Sequence, residues 1–390
     1  MFDVVHRALR GDNLAVLRRL RGRGERFDTI YADPPWNSHL PGLGYDDNYG
    51  SHQDWAKFMK PRLTLARDLL EPTGVLLCSI GPEEHHYLKV LLDGVMGERN
   101  FISDVTWHGA ARGNARYVSD GAEYLLIYAR DLAALRDSGV RWTMPKDRVE
   151  ECLHVARQCL QDAQGDTVKA SAAYRAWMRT QKLGWGYRNY DTVDADGRPY
   201  YAQPITKPTG DGPRYDIPHP RNGRPCRLPK HGWRLTEETF GQLLTDGRVL
   251  FGPDHTTAPR LKSYLESQGC VTPPSVFAVS RRGGARRLEQ LGLGGAIKYP
   301  KDPAALGAWI GAVTPNDGRV LDAFAGSGST GEAVVRLNQA DGGTRQVTLI
   351  EDALFDTVLV PRMTAVLSGV RPDGLPTGLD EVTGQVLRVS

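Results

Sequence analysis

The sequence predicts an α/β fold with a mostly parallel sheet, interrupted by an inserted irregular region. Three observations predict it. Short apolar runs of strand length alternate with stretches of helical spacing over residues 1–130. Across 131–290 strict periodicity is lost and Arg, Tyr, Trp, Pro and Gly become frequent. From 291 to 390 the alternation resumes, so the two flanking segments read as halves of one split domain. At 390 residues the chain can hold one large or two medium domains, and its 40% hydrophobic and 24% charged fractions are those of a globular protein with a sizeable core.

Taken in order, FDTIYA (27–32) is a short apolar strand ending in the turn DPPWN. Residues 54–70 carry apolar side chains at helical spacing, with Pro61 expected to kink or restart the helix. GVLLCSI (74–80) is a second buried strand, and 83–95 is a helix opening on two acids. DVTWH and EYLLIYAR are two further strands. The middle region, with stretches such as GWGYRNYDTVDADGRPYYAQP, is too aromatic for a disordered tail and reads as an irregular, partly β subdomain. Beyond it, AALGAWIGAV is a helix, RVLDAF (319–324) a strand, AGSGSTG a turn into a helix over 329–338, and QVTLIE (346–351) another strand.

No run approaches the length needed to span a bilayer, and MFDVVHRALRGDNL lacks the apolar stretch of a signal peptide, so the cytoplasm is the expected address. Cys78, Cys152, Cys159, Cys226 and Cys270 are dispersed without a CxxC pair, against a disulfide framework and against a structural zinc; no metal is expected. The net charge of +3 does not by itself announce a nucleic-acid binder. Arginine nevertheless clusters at Arg18, Arg19, Arg21, Arg23 and Arg26, and again at Arg281, Arg282, Arg286 and Arg287. Such clusters suit bidentate phosphate or guanine contacts as well as a solvated helix face.

Two turns carry the chemistry. In RVLDAFAGSGSTGEAV a strand leads through a glycine-rich turn into a helix, with Gly326, Gly328 and Gly331 at G-x-G-x-x-G spacing and Thr330 between the last two. Glycines there let a ligand approach the helix N-terminus closely, and Glu351, ending the next strand, stands where a ribose-binding acid is expected. Alone, the turn fits a nicotinamide dinucleotide, S-adenosylmethionine or a purely structural role. Its position discriminates: one confident strand follows, so a dinucleotide fold cannot be completed downstream. Asp322, just before the turn, is a candidate to receive the ammonium of a methionine moiety. The missing Lys after the turn rules out a nucleotide-hydrolysing P-loop.

The second turn is Asp33-Pro34-Pro35-Trp36, at the C-terminal end of a strand, where parallel sheets place their chemistry. The Pro34 carbonyl and the Asp33 carboxylate can both accept hydrogen bonds from an NH2 group. An exocyclic amine is a poor nucleophile because its lone pair is delocalised into the ring. Two acceptors on its hydrogens draw the nitrogen towards tetrahedral geometry and aim the lone pair at a methyl donor. Trp36 offers a flat face for an extruded base.

Together these residues resemble the amino-methyltransferases of DNA in the class whose catalytic turn precedes its cofactor turn. GDNLAVLRRL, DDNYGSHQDWAKFMKPRLTLARDLL, ERNFISDVTWH, DGAEYLLIYAR, RYDIPHPRNGRPCRLPKHGWR and GRVLFGPDHTTAPRLKSYL are similar to segments of the modification subunits of type III restriction systems and their solitary relatives. The resemblance implies a Rossmann-like S-adenosylmethionine-dependent methyltransferase fold acting on N6 of a flipped-out adenine in double-stranded DNA. It implies Asp33, Pro34, Pro35 and Trp36 at the target amine, and Asp322, Phe324, Gly326, Gly328, Thr330 and Glu351 at the cofactor. Lys301, in IKYPKDP, falls where the family has an Asn-Pro-Lys-Pro segment beside the cofactor. By the same resemblance 1–130 and 291–390 carry the two turns and 131–290 is the target-recognition region, with a homodimer and a restriction subunit as further partners.

This sequence departs from the family in having Trp at the fourth catalytic position where Tyr is usual, and Tyr299-Pro300 in place of Asn-Pro. It is also shorter than type III modification subunits tend to be. N4 of cytosine is a competing target, although Ser commonly replaces the Asp in that group. The residues also admit RNA adenine methylation, since DPPW occurs in messenger-RNA enzymes, and a non-catalytic DNA-binding subunit. The glycine-rich segment 37–52 is expected to be mobile without DNA and to close over the flipped base.

Overall fold

The computed structural model describes residues 3–390 except 41–42, 44–45, 110–115, 119–120, 147, 182, 184, 280–282 and 378–380. Arg281 and Arg282 of the second arginine cluster and part of the 37–52 segment lie outside the described residues. The chain divides into two compact units, one made of Met1–Met144 with Thr272–Ser390 and the other of Pro145–Val271.

The first unit is built on a nine-stranded sheet. Its strands are β1 (Val4–Arg10), β2 (Phe27–Ala32), β3 (Leu70–Ile80), β4 (Phe101–His108), β5 (Ala122–Ala129), β6 (Val276–Phe277), β7 (Arg319–Asp322), β8 (Gln346–Glu351) and β9 (Gln385–Val389). They lie in the order β6-β4-β5-β3-β2-β7-β8-β1-β9. Only β5 runs antiparallel to its neighbours. The two strands that carry the turns, β2 and β7, are adjacent and parallel, with Asp322 opposite Tyr31. Strands ending side by side bring Asp33 and the glycine turn to one edge of the sheet, although nearly three hundred residues separate them in sequence.

Among the described residues, eight α-helices of this unit flank the strands: α1 (Asn13–Gly22), α2 (His52–Leu69), α3 (His85–Leu92), α4 (Leu132–Asp137), α5 (Gly283–Gln290), α6 (Pro303–Val313), α7 (Ser329–Asp341) and α8 (Val360–Ser368). The period-two alternation of the strands sends Ile30, Ala32, Leu76 and Cys78 into one core with α1, α2 and α3. It sends Tyr31, Val75, Leu77 and Val320 into the other, with α6, α7 and α8. Ser51 caps α2 by accepting from the Asp54 N–H, and Asp302 caps α6 with Pro303 in its first turn.

Several local expectations are corrected. Pro61 sits inside one unbroken helix, α2, so its missing N–H costs a hydrogen bond without ending the run. The helix expected over 83–95 is α3 followed by a π-turn, Asp93–Gly97. RVLDAF leaves the sheet at Asp322, and β1, whose His6 and Arg7 hide its apolar face, adds a strand not anticipated.

The second unit begins and ends inside the expected 131–290, because Met144 and Phe277 pack in the core of the first. It holds a helical hairpin, Val149–Asp162 and Thr167–Thr180, and a four-stranded sheet whose central pair is Pro199–Pro204 against Arg260–Tyr264. The hairpin packs Cys152, Leu153 and Ala156 of one helix and Ala170, Ser171 and Tyr174 of the other into the interior, helices that the irregular reading of the region misses despite their helical period. Among the described residues no helix is long and apolar enough to cross a membrane.

Candidate active site

At the end of β2 the chain runs into Asp33-Pro34-Pro35-Trp36. The Trp36 indole N–H donates to Asp33 Oδ1 at 3.2 Å, tying the carboxylate to the ring. The Pro35 carbonyl accepts from the buried Trp55 indole on α2 at 2.8 Å, which fixes the turn from beneath. The Pro34 carbonyl accepts no hydrogen bond among the described residues. It therefore remains an available acceptor beside the carboxylate. Burial pushes the Asp33 carboxyl up, while the Lys301 ammonium, 3.1 Å from Oδ2, pulls it back down.

After the turn the chain is clasped. Asn37, in the left-handed region at φ 56°, accepts from the Tyr49 N–H and donates to Gly50 O and to Glu84 Oε1. Asp47 accepts from the Asn37 and Ser38 N–H groups. The two ends of 37–52 are thus pinned to each other and to the turn after β3.

The glycine turn follows β7. Gly326 and Gly328 adopt φ of 50° and 80°, conformations that a side chain would strain. Glu351, at the end of β8, accepts from the Gly326 N–H at 2.8 Å through Oε2, and from Asp352 and Leu354 through Oε1. Oε1 is thereby filled, and Oε2 keeps a further lone pair. Asp322 is buried and pairs with no cation among the described residues. Burial pushes its carboxyl up to about 7, against the lowering effect of the Thr330 hydroxyl and the Phe324 N–H. Below the turn Glu332 is fully buried among Arg287, Arg336 and Arg362, and Arg362 also donates to Ser327 and Ser329. Arg287 is thereby a scaffold residue, and only Arg286 of the described part of its cluster is exposed.

A family model described as DNA methylase matches residues 27–223, half of the chain. The chain belongs to the DNA methylase family. The Type III restriction-modification enzyme EcoP15I Mod subunit of Escherichia coli is 26% identical over 419 aligned residues, 99% of this chain and 63% of that protein. The StyLTI Mod subunit of Salmonella typhimurium is 28% identical, over 95% of this chain and 58% of its own length. The Type II methyltransferase M.KpnI of Klebsiella pneumoniae is 27% identical, over 87% of this chain and 79% of its own length. The chain therefore spans about three fifths of the two Mod subunits. Its nine-stranded sheet, mostly parallel and flanked by helices, is the α/β fold that the sequence leads one to expect.

The methylase turn has partners that the sequence reading missed. Glu123, the lone acid opening the apolar β5, is buried and accepts from Lys301 at 2.8 Å. Lys301, expected beside the cofactor, is divided between the two turns. Its carbonyl accepts from Ser329 in the glycine turn, and its ammonium reaches Asp33. Gly81, directly after β3, packs against Trp36: a Cβ there would overlap Cε3 and lie 2.8 Å from Cδ2. Because a rigid indole cannot give, Gly81→Ala is expected to displace Trp36 and lower kcat about a hundredfold, the scale for misplacing a reacting group by an ångström. Isotope transfer at saturating DNA checks this.

Tyr299, standing where Asn is usual, has φ 57° and is 70% exposed. Asn visits this region readily and a ring-bearing residue does not. Tyr299→Asn should stabilise the methylase by about 1 kcal/mol, read as a higher denaturant midpoint at unchanged m.

Proposed function

We propose that this methylase transfers a methyl group from S-adenosylmethionine to N6 of a flipped-out adenine in double-stranded DNA. The observation that carries the reading is the pair of acceptors at the end of β2, the Asp33 carboxylate and the free Pro34 carbonyl, with the Trp36 ring tied to the carboxylate and packed on Gly81. Two acceptors fit the two hydrogens of an NH2 group. Asp in the first position favours adenine over N4 of cytosine.

The glycine turn fits the cofactor. Asp322 is a buried carboxylate without a cation among the described residues and suits the methionine ammonium, and Glu351 Oε2 keeps a lone pair for a ribose hydroxyl. A Cβ at Gly326 would meet nothing nearer than Ile297 at 4.0 Å, so a ligand has room there. S-adenosylmethionine supplies an electrophilic methyl group. Asp33 and Pro34 hold the amine with its lone pair aimed, and Trp36 stacks the base. Positioning of this kind is worth on the order of 7–11 kcal/mol when the reactants are well aligned. The amine proton becomes acidic as the new bond forms, so Asp33 need only receive it late.

The inserted unit, Pro145–Val271, is proposed as the target-recognition region. Arg175, Arg179 and Arg188 line a cleft of about 390 Å³ there and form no ion pair among the described residues. Replacing Arg179 and Arg188 with Ala should weaken DNA binding and flatten the slope of log K against log salt by about 2. A nuclease subunit as partner rests on the Mod subunits alone.

The test is incubation of the protein with labelled S-adenosylmethionine and unmodified double-stranded DNA, followed by nucleoside mass spectrometry. Label in N6-methyladenine is expected. Label in N4-methylcytosine would change the base and keep the mechanism. Label in RNA alone, or in neither nucleic acid, would overturn the reading.

A further inference from the structure

Lys301 stands in the middle of the groups that the target base needs. Its ammonium lies 3.1 Å from Asp33 Oδ2, 2.8 Å from Glu123 Oε2 and 4.7 Å from the centre of the Trp36 ring. An ammonium N–H and an exocyclic amine N–H are donors of the same kind, and with Oδ1 tied to the Trp36 indole both approach Oδ2. A cation above the indole also takes space in which a base would stack. With Gly81 already packed against that ring, the base must contend with Lys301 to enter.

We propose that Lys301 is a stand-in for the target amine, and that Glu123 is the positioning residue that holds it when the base displaces it from Asp33. The proposal rests on the methyl-transfer reading above. Before DNA binds, the ammonium occupies Asp33 Oδ2 and lies over the Trp36 ring. When the base enters, Asp33 exchanges one N–H donor for another, and Lys301 keeps its ion pair with Glu123 throughout. Without Glu123 the same exchange would strand a buried ammonium, which is strongly unfavourable. The movement is confined to the side chain. The Lys301 carbonyl is fixed by Ser329 at 2.8 Å, and the next residue, Asp302, caps α6. Glu123 lies on β5 in register with Trp107 of β4, so the holding group does not move with the base.

The electrostatics give the two residues separable signatures. The titratable groups facing Asp33 are Lys301, Glu123, Tyr31, Cys78 and Asp322, and Lys301 is the cation among them. Removing Lys301 therefore raises the Asp33 carboxyl further. Removing the charge of Glu123 lowers it and leaves the ammonium on Asp33 alone.

The experiment measures kcat and KM for unmethylated plasmid DNA against pH in the wild type, Glu123→Gln, Lys301→Met and the double variant, with cofactor binding followed by calorimetry. In Glu123→Gln, KM for DNA is expected to rise about tenfold, the scale of one charge-assisted hydrogen bond, with a smaller change in kcat. In Lys301→Met the acid limb of kcat/KM should move to higher pH and cofactor affinity should hold. In the double variant the KM effect of Glu123→Gln should vanish. A tenfold rise in KM that persists without Lys301 would make Glu123 merely structural and overturn the proposal. So would an unshifted pH limb in Lys301→Met accompanied by weaker cofactor binding. A wild-type protein that methylates no DNA would overturn the underlying reading itself, and this proposal with it.

Discussion

Asp33→Ala is expected to lower methyl transfer about a thousandfold or more while leaving the cofactor bound. The substitution removes one of the two acceptors that shape the amine, the hydrogen-bond partner of the Trp36 indole, and the carboxylate facing Lys301. Loss of a single preorganised hydrogen-bonding group at a reacting centre costs about a hundred- to a thousandfold, and here the aromatic platform is released as well. Single-turnover label transfer measures the chemical step directly, and calorimetry with S-adenosylmethionine supplies the control. Equal loss in both measurements would mean that Asp33 holds the cofactor site together and does not act on the amine.

Asp322→Asn is the second large effect, and its sign depends on what is bound. In the unliganded protein the Asp322 carboxyl is pushed up to about 7 by burial, well above its value in an unfolded chain. A carboxyl raised in the folded state contributes stability that is complete below the unfolded value. That stability is lost as pH rises through the folded one, a loss on the order of 4 kcal/mol by about pH 7. Asn does not titrate, so the variant should melt higher than wild type near neutral pH without ligand. Cofactor binding reverses the order. A methionine ammonium needs the ionised carboxylate, so wild-type affinity should fall about tenfold for each pH unit below about 7. The variant should bind weakly at every pH. A wild-type affinity that is flat through this range would separate Asp322 from the ammonium.

The parts of the site that could be read from sequence are those where one short stretch holds both the structural cue and the chemistry. A strand followed by Asp33–Trp36 and a strand followed by Gly326–Gly331 are local patterns, as is Glu351 closing the next strand. What escaped depends on pairs distant in the chain. Glu123 meets Lys301 across 178 positions, and nothing in EYLLIYAR marks its acid as more than a polar strand end. Arg287 belongs to a run that reads as a solvated basic face, yet Glu332 on α7 draws it into the interior. The helical hairpin of the inserted unit is legible in part, since Val149, Cys152, Leu153, Ala156 and Leu160 recur at helical spacing, but the turn-rich segments that follow it draw the whole region into an irregular reading.

Every strand of the large sheet comes from outside 145–271, and Met144 and Phe277, close to the two junctions, pack in the first unit's core. The chain can therefore drift at two tempos. Substitutions near Asp33, Lys301 or the glycine turn are constrained by partners on several strands at once, whereas changes within the insertion answer chiefly to that unit's own two small cores. On the proposed reading, a lineage that replaced the insertion wholesale would acquire a new recognition sequence in a single recombination, without relearning how to move a methyl group.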